Sequence, residues 1–143
     1  MPIWKKNTDL ARLNATSENT LTAHLGILYT DVGDNYLSGT MPVDQRTVQP
    51  FGLLHGGASV VLAETLGSLA ANLAVPQDKV CVGLEVNANH LRSVKSGIVT
   101  GTATALHIGY TTQIWSIEIK NVRDQLVCIS RLTIAVINKA ISE

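Results

Sequence analysis

From Gly56 to Val75 the chain runs twenty residues with one charge, Glu64. His55-Gly56-Gly57 opens this stretch, and Pro76, which cannot continue a helix, closes it. Leu62, Leu66, Leu69 and Leu73 recur at spacings of four, three and four, one stripe of an α-helix that a sheet must cover. The chain supplies that sheet. Segments 79–90, 98–106, 112–120 and 126–137 are rich in β-branched residues. Trp115, Ile117 and Ile119 alternate with Ser116, Glu118 and Lys120, the pattern of a strand with one wet face. The expected class is α+β: one long helix lying on an antiparallel sheet, in a single domain over residues 1–143.

Upstream, residues 9–14 predict a short helix with Thr8 as N-cap, and 19–25 a second. Residues 27–30 and 36–43 predict strands around the turn Gly33-Asp34-Asn35. Residues 45–54 have no periodicity and predict a loop. Ser96-Gly97 and 121–125 predict hairpin connections, and 106–110 a later connection. Gly57, Gly67 and Ala71 fall on the helix face of Glu64 and Ser68, so that face should admit a ligand or a partner closely.

Charged residues are only 15% of the chain against 45% hydrophobic, which points to surface buried between subunits. The net charge is zero with no basic block, so no nucleic-acid partner is expected. No apolar stretch is long enough to span a bilayer, and none follows Met1–Asn7 as a signal peptide requires. Cys81 and Cys128 lie in apolar, strand-like contexts; reduced core thiols and a cytoplasmic location are expected. The four histidines, His24, His55, His90 and His107, lack zinc-binding spacing, so neither metal nor cofactor is expected. GxSxG, GxGxxG and Walker patterns are absent from the sequence, against a serine hydrolase, a dinucleotide-binding dehydrogenase or a P-loop enzyme.

Chemistry concentrates where the glycine-rich turn meets the helix. Helix N–H groups at Gly56-Gly57 have no intrahelical partner and can hold a developing oxyanion; a plain N-terminal turn is the other reading. Glu64 is either a helix-surface glutamate or, among apolar neighbours and with Ser68 one turn on, a general base or nucleophile. His55 reads as an orienting turn residue. Gln49, held extended by Pro50, is a donor to a carbonyl or a surface amide. His90-Leu91-Arg92-Ser93 and the segment around His107 suit a phosphate-bearing ligand, or are ordinary loop polarity.

Met41-Pro42-Val43-Asp44, then Gln49-Pro50-Phe51-Gly52-Leu53-Leu54-His55-Gly56-Gly57, then Glu64-Thr65-Leu66-Gly67-Ser68 resemble the hotdog-fold acyl-CoA thioesterases. The likeness is to the bacterial branch of enterobactin-proofreading and 1,4-dihydroxy-2-naphthoyl-CoA thioesterases, and it covers almost the whole chain. The resemblance implies a hotdog fold, an antiparallel sheet wrapped around one long helix. It implies a homotetramer, a dimer of dimers whose active sites lie across a subunit interface. It implies hydrolysis of an aromatic acyl-CoA or acyl-carrier-protein thioester. Glu64 would be nucleophile or base, Gly56 and Gln49 would hold the thioester oxygen, and His55 would orient substrate and loop. Ser68 and His90 would position the attacking water or the acyl ring. Gly83, then His90, Leu91, Arg92 and Ser93, then His107, Ile108, Gly109, Tyr110, Thr111 and Thr112 would hold coenzyme A. Ala71 stands where relatives often carry glycine, which could narrow the acyl pocket. A hotdog hydroxyacyl-thioester dehydratase and a non-catalytic acyl-CoA binding protein are the alternatives.

Overall fold

The computed structural model describes residues 1–140. Helices α1 (Leu10–Ala15) and α2 (Leu21–His24) precede strands β1 (Leu28–Val32) and β2 (Tyr36–Pro42). The long helix α3 (Gly56–Leu73) follows, then β3 (Lys79–His90), β4 (Ile98–Ile108), β5 (Thr112–Lys120) and β6 (Leu126–Asn138). The first N-cap is Asp9 rather than Thr8: its carboxylate accepts from the Ala11 N–H at 3.0 Å. Helix α3 stops at Leu73, two residues before the expected Val75. The residue before a proline disfavours helical backbone, and the Leu73 carbonyl is taken by the N–H groups of Lys5 and Lys6, at 2.8 and 3.2 Å.

The six strands form one antiparallel sheet in the order β1-β2-β4-β5-β6-β3. Consecutive strands β3 and β4 are therefore not neighbours. Ser96-Gly97 is no hairpin but the end of a crossover, where the Gly97 carbonyl accepts from Val43 N–H at 2.8 Å. The predicted connection 106–110 is also displaced. Strand β4 bulges between Ala105 and His107 and continues to Ile108, leaving Gly109-Tyr110-Thr111 as the turn into β5. The turn at 121–125 does join β5 to β6.

The sheet curls around α3. Leu62 and Leu66 have no exposed surface and pack with Trp115, Ile117, Ile119, Leu132 and Ile134, which have none either. Burying each leucine contributes roughly 1.5–3 kcal/mol; Leu69, on the same stripe, is only partly buried. A close approach makes this possible. Gly39 of β2 and Gly101 of β4 are register partners. A Cβ on either would lie 2.9 or 2.7 Å from the Leu66 methyls. Gly67 and Ala71 do not form an open face with Glu64. Both are buried, and a Cβ on Gly67 would lie 2.6 Å from Leu132 Cδ2. These small residues let the sheet come close, so Ala71 lies within the core and lines no acyl pocket of the protomer.

Candidate active site

The loop before α3 is held by its own backbone. Val48 and Leu54 bridge; Gln49 N–H donates to Leu53 O and Gly52 N–H to Gln49 O, each at 2.8 Å. Gly52 takes a φ of +79°, the left-handed region that glycine enters freely. The Gln49 side-chain oxygen accepts from the Phe51 N–H at 2.5 Å. With its oxygen engaged, the Gln49 amide keeps its N–H₂ for an acceptor outside the loop.

His55 is the N-cap of α3: its Nδ1 accepts from the Gly57 N–H at 2.8 Å. Nδ1 is therefore unprotonated and the ring proton sits on Nε2. The N–H groups of Ala58 and Ser59 donate to the His55 carbonyl. Of the first four N–H groups, among the described residues, that of Gly56 is left at the positive end of the helix. His90, the last residue of β3, comes over it, and a Cβ on Gly56 would lie 3.0 Å from His90 Nε2. Gln49, Gly56, His90, Leu91, Arg92 and Ser93 thus line one groove, with the buried Ser59 beneath.

Glu64 and Ser68 lie elsewhere. The sheet leaves a slit between its edges β1 and β3, floored by α3 and lined by Glu64, Ser68, Val61 and Thr65. Gly83 forms the β3 wall; a Cβ there would lie 3.2 Å from Glu64 Oε2. Glu64 is exposed in the protomer, so the expected cost of burying it is not incurred. Three residues that the sequence did not signal, Leu21, Thr22 and Tyr29, form the opposite wall. The segment 107–112 joins neither group. Its turn lies at the Lys79 end of β3, with Lys79 Nζ 5.2 Å from the centre of the Tyr110 ring. That is the end of the sheet opposite His90–Ser93.

The chain therefore holds two groups of candidate residues apart from one another. Eight residues of helix separate Gly56 from Glu64, a rise of about 12 Å. A reacting carbonyl needs both its attacking group and its oxyanion donor at about 3 Å. Burial pushes the Cys81 and Cys128 thiols up, so neither is a nucleophile, and both are free and buried. Among the described residues no cluster of metal-ligating side chains occurs, and no helix is long and apolar enough to cross a membrane.

Comparison with known proteins agrees with this architecture. Residues 51–128 match the thioesterase superfamily model. The 1,4-dihydroxy-2-naphthoyl-CoA hydrolase of Escherichia coli is 50% identical over 135 residues, 94% of this chain and 99% of that protein. The proofreading thioesterase EntH of Cronobacter sakazakii is 50% identical, over 94% of this chain and 98% of its own length. The crystal structure of a thioesterase from Haemophilus influenzae superposes with a TM-score of 0.94 at 51% identity, covering 95% of each chain. A glutamine-to-alanine variant of a Pseudomonas aeruginosa thioesterase does so at 0.94 and 51%, over 96% of this chain and 99% of that one. The chain belongs to the thioesterase superfamily and is a thioester hydrolase with the hotdog fold.

Proposed function

We propose that this hydrolase cleaves aromatic acyl thioesters of coenzyme A or an acyl carrier protein, at sites completed by a second copy of the chain. The two turns of helix between Gly56 and Glu64 carry the reading: neither half-site can hydrolyse a thioester alone. Strand β3 is an edge twelve residues long, with Val82 and Leu84 exposed. An unprotected edge of this kind is a site for pairing. Antiparallel pairing of two β3 edges about a two-fold axis sets the Lys79 end of one copy beside the His90 end of the other. Gly83 is on the Lys79 half of β3 and beside Glu64; His90 is beside Gly56. The same operation therefore carries each Glu64 towards the other copy's Gly56. It also brings segment 107–112 of one copy towards His90–Ser93 of the other, so that both can hold one coenzyme A. Dimers pairing further would give a tetramer, in keeping with the low charge.

In that site the thioester oxygen accepts from the Gly56 N–H and the Gln49 amide. His55 fixes the helix start, while Ser68 and His90 position the water or the acyl ring. Glu64 either attacks the carbonyl, giving an anhydride that water then opens, or takes a proton from the attacking water. In both routes the C–S bond breaks, the thiolate leaves, and one water is consumed. No metal is needed, because a thiolate is a good leaving group. The alternative dehydratase chemistry is disfavoured by the relatives, which are named as thioester hydrolases. The aromatic preference rests on the naphthoyl-CoA hydrolase relative. The unpaired buried thiols support a cytoplasmic setting. A kinetic panel of hydroxybenzoyl, naphthoyl and fatty acyl thioesters, on coenzyme A and on carrier protein, tests the reading. It expects kcat/KM to be highest for the aromatic groups; a preference for fatty acyl thioesters would refute the substrate class.

A further inference from the structure

The wall of the Glu64 slit opposite β3 has a composition that the hydrolysis step does not require. It carries Leu21, Thr22 and Tyr29, with Val61 and Ser68 of α3 on the floor between it and Gly83. Leu21 is 58% exposed, an apolar side chain at the rim with room to meet a ligand. Tyr29 is 7% exposed, and the half-buried Thr22 lines the slit with it.

This wall is held rigidly. The Asn14 side chain clamps the Tyr29 backbone with both ends of its amide. Nδ2 donates to the Tyr29 carbonyl at 2.9 Å and Oδ1 accepts from the Tyr29 N–H at 2.8 Å. Thr20 Oγ1 donates to Ser17 O at 2.6 Å, and the Thr22 carbonyl accepts from Ile27 N–H at 3.0 Å. A helix of four residues has no stability of its own; here these side-chain and backbone bonds hold the segment around it over the slit. Apolar flanks with hydroxyls at fixed positions suit a flat apolar group bearing a polar substituent. A saturated acyl chain has nothing to offer those hydroxyls, and a site built to bond a hydroxyl discriminates strongly against analogues lacking it.

We propose that Thr22 and Tyr29 are specificity-determining residues that read a hydroxyl on the aromatic ring of the acyl group. The inference rests on the hydrolase reading above and adds which side chains select the acyl group. Each O–H can donate once and accept twice, so Thr22 and Tyr29, both lining the slit, can each bond a ring hydroxyl.

The test is kcat/KM for 4-hydroxybenzoyl-CoA and for benzoyl-CoA, in wild type, Thr22→Val, Thr22→Ser and Tyr29→Phe. Wild type should favour the hydroxylated substrate. Thr22→Val and Tyr29→Phe should each lower kcat/KM for 4-hydroxybenzoyl-CoA about tenfold, the worth of one hydrogen bond, and change benzoyl-CoA by less than about twofold. Thr22→Ser, which keeps the hydroxyl, should retain the preference. Thr22→Val is isosteric at a half-buried position, so it decides the matter even if Tyr29→Phe fails to fold. Equal losses on both substrates in Thr22→Val, an unchanged substrate ratio in that variant, or no preference in an active wild type overturns the role of this wall and leaves the aromatic-thioester reading standing. A wild type inert towards both thioesters overturns the aromatic-thioester reading and this inference with it.

Discussion

Glu64 and Gln49 separate the two halves of the proposed chemistry at the scale of single side chains. Glu64 is the one charge in its twenty-residue stretch and lies at the floor of the slit. Glu64→Ala should lower kcat by at least ~10²-fold, because a positioned base or nucleophile contributes that much or more. The fold should be unaffected, since the side chain is exposed; circular dichroism and the melting temperature check this. Residual activity above about a tenth of wild type would remove Glu64 from the mechanism. Gln49 differs in kind. Its oxygen is anchored to the Phe51 N–H, so the amide is fixed before substrate arrives. Gln49→Ala should therefore lower kcat by about 10²–10³ while KM changes little, as expected when a donor acts on the developing oxyanion. A change confined to KM would show that the amide contacts only the bound ground state.

Among the elements, β2, β4 and α3 form one unit through the paired glycines. A Cβ on Gly39 would lie 2.7 Å from the Leu28 carbonyl oxygen, which is backbone and cannot step aside, and 2.9 Å from Leu66 Cδ2. Gly39→Ala should destabilise by about 1–3 kcal/mol, the usual cost of overpacking a core, read as a lowered denaturant midpoint with an unchanged slope. A midpoint equal to wild type would mean that the sheet and helix can separate without cost. The end of β3 makes a functional prediction of its own. Arg92 follows His90 in the groove above Gly56. Arg92→Ala should raise KM for coenzyme A thioesters and leave kcat nearly unchanged, since a phosphate contact is equal in ground and transition states. N-acetylcysteamine thioesters, which lack the phosphates, should respond little. Equal losses on both would assign Arg92 to folding or to a subunit contact.

The whole molecule raises the question of how many chains make a site. Gln49→Ala and Glu64→Ala place their lesions in different half-sites. When the two inactive variants are unfolded, mixed in equal amounts and refolded, mixed dimers should carry one intact site in two. A random mixture should then recover about a quarter of wild-type activity. Recovery of none would show that a single chain builds its whole site, contrary to the 12 Å helical separation estimated from the helix rise.

The sequence by itself determined the elements and much of the chemistry. β3 and β5 begin and end where β-branched runs begin and end, and α3 starts at the glycine pair, because these signals are local. Glu64 stood out because charge in an apolar helix is visible without neighbours. Tertiary structure alone decided what depends on residues far apart in the chain. The strand order makes Ser96-Gly97 a crossover end rather than a hairpin, a fact of which edges pair and not of turn composition. Gly67 and Ala71, small residues that a helical wheel sets beside Glu64, are buried because the curled sheet reaches that far around α3. Thr22 and Tyr29 carry no motif; they line the slit only because the curled sheet brings its β1 edge, with α2 before it, opposite β3. The chemistry of each residue is written in its side chain, but which residues share a cavity is set by long-range pairing and packing.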